Sequence, residues 1–198
     1  MCLGSAGNGE RAFAASVDSA PSGAGDFQGI GGQSFEVVDM EKEQRFSVRG
    51  ATKEDAQQVL QCLQEAFLVY RNDYTAGAYA DTVLNPQTFL QRLSEQQILI
   101  AVDQSGEAVG TMAYKAENGE GHIRGMAVRP LWQGRGVAEK LLEHVESALQ
   151  ELGCKVITLD TTRPLQRAIR FYEKNGFRAT GEVASFFGME LLAYRKEL

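Results

Sequence analysis

The chain has 198 residues, of which 43% are hydrophobic, so it is long enough for one domain with a buried core plus an appendage. Its formal net charge is −6, which argues against a nucleic-acid partner because general nucleic-acid binding needs a basic surface. No apolar run approaches the roughly 20 residues that cross a bilayer, and no basic start precedes an apolar stretch, so we expect neither a membrane partner nor a secretory signal.

The three cysteines are Cys2, Cys62 and Cys154, and their spacing matches neither a metal site nor a disulfide framework. Apolar neighbours flank Cys62 and Cys154, which favours buried structural thiols over reactive ones. We therefore expect no bound metal and a reducing, cytoplasmic location.

Residues 1–44 are rich in Gly, Ala and Ser and contain few large apolar side chains. Such a composition buries too little surface to offset the entropy of ordering the chain. We therefore predict a disordered tail over 1–44 and a folded domain over 45–198, with an over-long start of the chain as the alternative for the tail. A phosphate loop is disfavoured here because no Lys-Ser or Lys-Thr pair follows the glycines and no strand precedes them.

Alternation, helical spacing and capping patterns predict the first elements of the domain. Residues 45–49 alternate as a short strand, and residues 52–55 form a capping box that begins a helix over about 53–69. Residues 70–79 are predicted to be irregular. The Asn-Pro pair at 85–86 predicts the start of a second helix.

Three strands joined by tight turns are predicted next. Residues 98–102, 108–114 and 122–128 are apolar or alternating stretches, separated by glycine-bearing turns at 103–106 and 117–121. Because each connection is only a few residues long, these strands should be antiparallel.

A long amphipathic helix and a buried strand at 155–160 follow. A helix between two strands of one sheet implies a crossover connection, so strands 122–128 and 155–160 should be parallel. A further helix over about 165–174 and two strands, 177–183 and 189–194, complete the chain. The fold class is therefore α/β, with a mixed and mostly antiparallel sheet and helices on its faces.

The segment after strand 122–128 has the residue types of a phosphate-binding loop. Residues 133–138 read QGRGVA, which matches the pattern Gln/Arg-x-x-Gly-x-Gly/Ala. Glycines keep side chains away while successive backbone N–H groups converge on a pyrophosphate, and the dipole of the following helix favours anions. The predicted phosphate-binding residues are Gln133, Gly134, Arg135, Gly136, Val137 and Ala138.

Together with this loop, two further segments make the chain resemble the GNAT superfamily of acyl-CoA-dependent N-acetyltransferases. Residues 126–130 (MAVRP) precede the loop, and residues 168–177 (AIRFYEKNGF) contain the Tyr-Glu-x-x-Gly-Phe ending of a family helix. The resemblance covers residues 46–198. A Rossmann-type nucleotide binder is the alternative, but Gly-x-Gly-x-x-Gly is absent and the preceding strands are predicted to be antiparallel.

The resemblance implies the GNAT fold, in which the parallel strands 122–128 and 155–160 splay apart. It also implies acetyl-CoA as co-substrate, no metal, and direct attack of an amine on the acetyl carbonyl through a tetrahedral intermediate. Unpaired backbone groups of Met126, Ala127 and Val128 would then hold the thioester carbonyl and the pantetheine amides.

The resemblance also suggests catalytic roles. Tyr172 aligns with the tyrosine that many GNAT members place near the CoA sulfur, which implies a general acid, with a packing role as the alternative. Glu120 and His122 flank the start of the central strand and are the two candidate bases, although either could be a solvated turn residue. Leu165 stands where many members carry an asparagine that contacts the cofactor.

The acceptor is predicted to be a small-molecule primary amine. A peptide or protein amine, and a CoA-binding module without catalysis, are the alternatives, and a homodimer is one option for the assembly. The family builds its acceptor pocket from segments that correspond here to residues 70–85 and 184–189. The candidates for its lining are Tyr74, Tyr79, Phe186, Phe187, Asp73, Asp81 and Glu182.

Overall fold

The computed structural model describes residues 46–198, and the tail predicted over 1–44 lies outside them. Within this range the strands are β1 (Phe46–Gly50), β2 (Gln97–Asp103), β3 (Ala108–Glu117), β4 (Glu120–Val128), β5 (Val156–Thr162), β6 (Arg178–Phe186) and β7 (Met189–Glu197). The α-helices are α1 (Ala56–Phe67), α2 (Ala76–Thr82), α3 (Pro86–Glu95), α4 (Val137–Glu151) and α5 (Gln166–Lys174).

The strands form one sheet in the order β1-β2-β3-β4-β5-β7-β6. Neighbouring strands are antiparallel except β4 and β5, which are parallel. The tight turns of the first half permit only antiparallel pairing, whereas α4 carries the chain back across the sheet before β5 begins. The predicted mixed, mostly antiparallel sheet is thereby confirmed.

The parallel pair separates halfway along β4. Pairing joins Glu120–Ile123 to Val156–Leu159 and stops there, so the described part of β5 offers no ladder partner to residues 124–128. On its other side β4 has a register shift against β3, and Gly125 adopts a φ of 63° at that point. An extra residue of this kind bends a strand and increases its twist, which accounts for the divergence of β4 from β5.

Helices cover both faces of the sheet, and alternation along β2 separates the two apolar clusters. Ile100 points to the cluster of α1, α2 and α3, where Phe89 is also fully buried, whereas Ala101 belongs to the other cluster. Leu141 and Phe177 lie in that second cluster with α4 and α5. Full burial of one large apolar side chain stabilises a fold by about 1.5–3 kcal/mol, so each cluster holds its helices firmly against the strands.

Helix α4 packs closely on the sheet at a position where β3 has a glycine. A Cβ built on Gly110 of β3 would stand 2.6 Å from Cγ1 of Val137. A side chain at this position would therefore push away the first turn of α4. Since the phosphate-type loop leads directly into that turn, the packing also sets the position of the loop.

Two predicted caps are confirmed. The side chain of Asn85 accepts a hydrogen bond of 3.0 Å from the N–H of Thr88 at the start of α3. The N–H of Thr52 donates to Asp55 Oδ2 over 2.7 Å in the capping box before α1. Cys62 and Cys154 are both buried as expected, and burial raises the pKa of the Cys62 thiol to about 12.

One element differs from expectation, since residues 70–79 are not wholly irregular. Helix α2 begins within them, and Thr75 caps it by accepting a hydrogen bond of 3.3 Å from the N–H of Ala78. The same hydroxyl donates to the carbonyl of Phe187 over 2.8 Å. A helix this short has no readable periodicity, and tertiary contact with the β6–β7 turn stabilises it. No helix of the described region is long and apolar enough to span a membrane.

Candidate active site

The loop after β4 holds two glycines in the left-handed region. Gly134 has a φ of 77° and Gly136, the N-cap of α4, a φ of 81°, a conformation that costs other L-residues roughly 1–2 kcal/mol. A Cβ built on either glycine meets nothing within 4 Å among the described residues. The surface in front of the loop is therefore open, and the first N–H groups of α4 have no acceptor within the helix.

Gln133 anchors the loop to two other elements. Its Nε2 donates to the carbonyl of Val128 over 3.0 Å, and its Oε1 accepts a hydrogen bond of 2.5 Å from Arg167 on α5. The guanidinium of Arg135 lies 5.6 Å from the ring centre of Trp132, a cation–π contact. The loop is thus tied to β4 on one side and to α5 on the other.

A groove of about 600 Å³ extends from this loop between β4 and α5; we call it the loop groove. The predicted binding residues that line it are Met126, Ala127, Val128, Gln133, Gly134 and Ala138. Gly136 caps the helix and Val137 points into the core, so these two shape the loop from behind. Arg135 stacks on Trp132 beside the groove.

Three basic residues of α5 that the sequence analysis did not single out also line the loop groove. They are Arg167, Arg170 and Lys174. Their spacing of three and four residues places them on one helix face, a signal that was present in the sequence. Positive charge therefore faces the loop from the opposite wall of the groove.

A second space of about 310 Å³, which we call the charged cavity, adjoins the loop groove. The two share Phe67, Met126, Leu165 and Ala168 in their linings. The charged cavity adds Asp81, Arg92, His122, Arg124 and Asp160. A molecule in the groove and a second molecule in the cavity can therefore meet where β4 has separated from β5.

Tyr172 lines the charged cavity from α5. Its side chain is buried, and its hydroxyl lies 3.6 Å from the sulfur of Met126, which is only a weak acceptor. Burial raises the pKa of this phenol, so it is protonated at neutral pH. The hydroxyl is consequently a proton donor without a strong partner among residues 46–198.

His122 belongs to a hydrogen-bonded chain that favours one of its tautomers. Its Nδ1 lies 3.1 Å from Oγ1 of Thr158, and that hydroxyl donates over 3.0 Å to Glu120 Oε1. When the single hydroxyl hydrogen of Thr158 is donated to Glu120, Nδ1 of His122 is the donor to Thr158 in this arrangement. Nε2 therefore keeps its lone pair, and it lies 3.8 Å from Oδ2 of Asp160.

Burial lowers the pKa of His122 and the charge of Asp160 opposes this effect. Glu120, the other candidate base, does not line the charged cavity; it lies in a neighbouring depression with Lys115 and Thr158, which His122 also lines. The structure therefore places His122 and Tyr172 in one cavity and connects Glu120 to His122 through the hydroxyl of Thr158.

The residues expected to line an acceptor pocket divide into two groups. Tyr74 and Phe186 line the charged cavity, and Tyr74 is fixed by a hydrogen bond of 2.6 Å to Thr162. Tyr79 instead packs under Arg71, and Phe187 is exposed. Asp81 lies in the cavity, whereas Asp73 and Glu182 are exposed outside it.

Curated proteins with similar sequences include an acetyltransferase. The chain is 30% identical to the IAA acetyltransferase of Azospirillum brasilense over 46% of its length, and 30% identical to the uncharacterized protein YdhI of Bacillus subtilis over 44%. The matched segments span 62% and 53% of those two proteins.

Solved structures give the same fold. The PaiA N-acetyltransferase of Thermoplasma acidophilum, solved in complex with coenzyme A, superposes with a TM-score of 0.65 at 16% identity, covering 77% of this chain and 99% of that one. A ribosomal-protein-alanine N-acetyltransferase of Brucella melitensis gives 0.61 at 20% identity, covering 77% and 99%. The acetyltransferase (GNAT) family model matches residues 56–177, more than half of the chain. The chain therefore belongs to the acetyltransferase (GNAT) family.

Proposed function

We propose that this protein is an acetyl-CoA-dependent N-acetyltransferase whose acceptor is the primary amine of a small molecule. The observation that carries the proposal is the junction of the loop groove and the charged cavity at the split between β4 and β5. The name of one relative, the IAA acetyltransferase of Azospirillum brasilense, agrees with acetyl transfer.

Several features of the described residues fit coenzyme A. The open glycines 134 and 136, with Arg167 and Arg170 opposite, suit a pyrophosphate. Residues 124–128 of β4 have no hydrogen-bonding partner in the described part of β5, so their backbone groups can pair with the amides of pantetheine. When bound, acetyl-CoA supplies the acetyl thioester. Side chains of this protein then remove a proton from the amine and donate a proton to the leaving sulfur.

His122 is the base in this proposal. An alkylammonium has a pKa near 10.4, so it must lose a proton before its nitrogen can attack. The lone pair on Nε2 of His122 receives that proton, and Asp160, 3.8 Å away, stabilises the resulting imidazolium. Glu120 contributes indirectly, because it holds the Thr158 hydroxyl that orients Nδ1.

Tyr172 is the acid. Its protonated hydroxyl lies at Met126, where the groove meets the cavity, and it donates its proton to the leaving sulfur. Backbone N–H groups of β4 beyond Ile123 stabilise negative charge that develops on the carbonyl oxygen. Acid and base thus face the reaction from different elements, α5 and β4.

The test is release of free thiol from acetyl-CoA across a panel of primary amines, with mass spectrometry of the products. The expected result is a product heavier by one acetyl group, with loss of turnover in His122→Gln. Binding of acetyl-CoA by calorimetry, without turnover of any amine, peptide or protein, would indicate a non-catalytic module and overturn the proposal. Turnover only of peptide or protein amines would overturn the small-molecule part of it.

A further inference from the structure

We infer that the acceptor carries a carboxylate beside its amine, as a free amino acid does. The inference rests on the proposed function and concerns the charged cavity alone. Its basis is the distribution of charge in the cavity lining. Arg92 and Arg124 make one end positive, whereas Asp160 makes the other end negative and lies beside the candidate base His122.

Two arginines share one carboxylate at the positive end. Arg92 Nη2 lies 3.0 Å from Asp81 Oδ2, and Arg124 Nη2 lies 3.4 Å from the same oxygen. The Arg92 side chain is only 13% exposed, whereas that of Arg124 is 44% exposed. One carboxylate facing two guanidinium groups leaves net positive charge at this end, and Arg124 is the more exposed of the two arginines that line the cavity.

Among the described residues, Asp81 is the one carboxylate paired with Arg92 and Arg124. Glu95 lies near Arg92, but it accepts a hydrogen bond of 2.9 Å from Gln91 and does not line the cavity. Burial lowers the pKa of Arg92, which nonetheless remains charged because guanidinium groups titrate far above neutrality. A carboxylate on the ligand would give the two arginines a second anionic partner by binding to Arg124, because guanidinium groups bind carboxylates through charge-assisted hydrogen bonds.

The negative end is Asp160, whose side chain is 39% exposed beside Nε2 of His122. His122 and Arg124 are two residues apart on β4 and therefore project from the same face, with an axial separation of about 7 Å. An ammonium near Asp160 and a carboxylate near Arg124 would thus lie on one small molecule. The ammonium is then next to the base that must deprotonate it.

Size and lining favour a free small molecule over a polypeptide. A volume of about 310 Å³ is at the lower end for ligand pockets, and Phe67, Tyr74, Phe186 and Leu191 provide an apolar remainder. An N-terminal residue in a protein presents an amide carbonyl in place of a carboxylate, so it leaves Arg124 without an anionic partner. An amino acid with an apolar side chain places its ammonium near Asp160, its carboxylate near Arg124 and its side chain against the apolar residues of the cavity.

The test compares three acceptors that share one side chain: phenylalanine, phenylalaninamide and phenethylamine. The quantity is the ratio of kcat/KM for the amino acid to kcat/KM for the amide, measured in the wild type and in Arg124→Gln. Comparing the two enzymes cancels the different intrinsic reactivities of the amines. We expect Arg124→Gln to lower this ratio at least tenfold, mainly through KM of the amino acid, and Arg124→Lys to recover part of it.

Arg195→Gln is the matched control, since Arg195 lies on β7, pairs with Glu197 and does not line the cavity. It should leave the ratio unchanged. Melting temperature and acetyl-CoA affinity of Arg124→Gln establish that the fold and the groove are intact.

An equal ratio in wild type and Arg124→Gln would overturn the inference and leave Arg124 as a tether between α2 and β4. Efficient turnover of small amines with no preference for a carboxylate would overturn it too, while the proposed function stands. Failure of every amine in the presence of bound acetyl-CoA would overturn the proposed function itself.

Discussion

The hydroxyl of Tyr172 lies 3.6 Å from the sulfur of Met126, so α5 and β4 touch at the point where the sheet has split. Tyr172 belongs to the apolar cluster of α4 and α5, yet it also lines the cavity to which α2 and α3 contribute Asp81 and Arg92. The gap between β4 and β5 is what allows a side chain from one face of the sheet to act on the other.

Tyr172→Phe tests the role of this hydroxyl. We expect kcat to fall about 100-fold or more, in the range typical of lost general acid catalysis. The affinity for acetyl-CoA and the melting temperature should change little, because within residues 46–198 the hydroxyl has only a thioether as acceptor. Steady-state kinetics and calorimetry measure these quantities, and an unchanged kcat would exclude Tyr172 as the acid.

The pH dependence of kcat/KM should report His122. Burial is the largest influence on its pKa and lowers it, Arg124 lowers it further, and Asp160 and Glu120 oppose this. Lys115 lies opposite His122 on β3 but pairs with Glu117. A lowered pKa means that the imidazole is already neutral at pH 7, so the acid limb should lie below pH 6.5. The residual activity of His122→Gln should lack that limb, and a wild-type midpoint above pH 6.5 would contradict the assignment.

Thr158→Val tests the tautomer of His122. Valine has nearly the shape of threonine but cannot accept the Nδ1 proton, so the hydrogen-bonded chain to Glu120 is broken. We expect kcat to fall about tenfold with KM for acetyl-CoA unchanged, and Thr158→Ser to restore most of the activity. Equal activity of the valine and serine variants would show that the hydroxyl has no positioning role.

Gly136→Asp tests the loop, with Gly136→Asn as its matched control. Both variants strain a φ of 81°, and only aspartate adds negative charge where phosphate is expected. We expect Gly136→Asp to bind coenzyme A at least tenfold more weakly than Gly136→Asn in calorimetry. Gly153→Asn, at the opposite end of α4 with a φ of 80°, measures the effect of strain alone. Equal affinities of the two Gly136 variants would contradict a phosphate at this turn.

The Arg49–Asp55 pair should make stability depend on pH. The hydrogen bond from Arg49 lowers the pKa of Asp55 to about 2, against roughly 3.9 in an unfolded chain. The folded pKa is the lower one, so the ionised carboxylate stabilises the fold above pH 4 and this contribution disappears as pH falls towards 2.

Asp55→Asn should therefore lower the free energy of unfolding by about 1–2 kcal/mol at pH 7, a modest value because the Arg49 side chain is 45% exposed. Urea titrations at pH 7 and pH 3 measure the difference, which should shrink at the lower pH. Asp73→Asn, on the surface, serves as the control. A difference that is independent of pH would contradict the linkage.

Residues close in sequence were sufficient to predict most elements and the loop. The caps at Thr52 and Asn85, the hairpin turns and the glycines at 134 and 136 each act within a few residues of themselves, so their structure follows from local sterics and hydrogen bonding. Helix α2 was missed because it has little intrinsic stability, and its cap residue depends on a contact with Phe187.

The sequence by itself determined the order of the elements, the glycine loop and the family resemblance, because periodicity, turn chemistry and motif spacing are properties of contiguous residues. Only the tertiary structure decided which residues face one another. It separated Glu120 from the charged cavity, joined His122 to Asp160 and Thr158, and set Arg124 against Asp81 and Arg92. These side chains come from different strands and helices, and their meeting depends on where β4 bends away from β5, which no local pattern encodes.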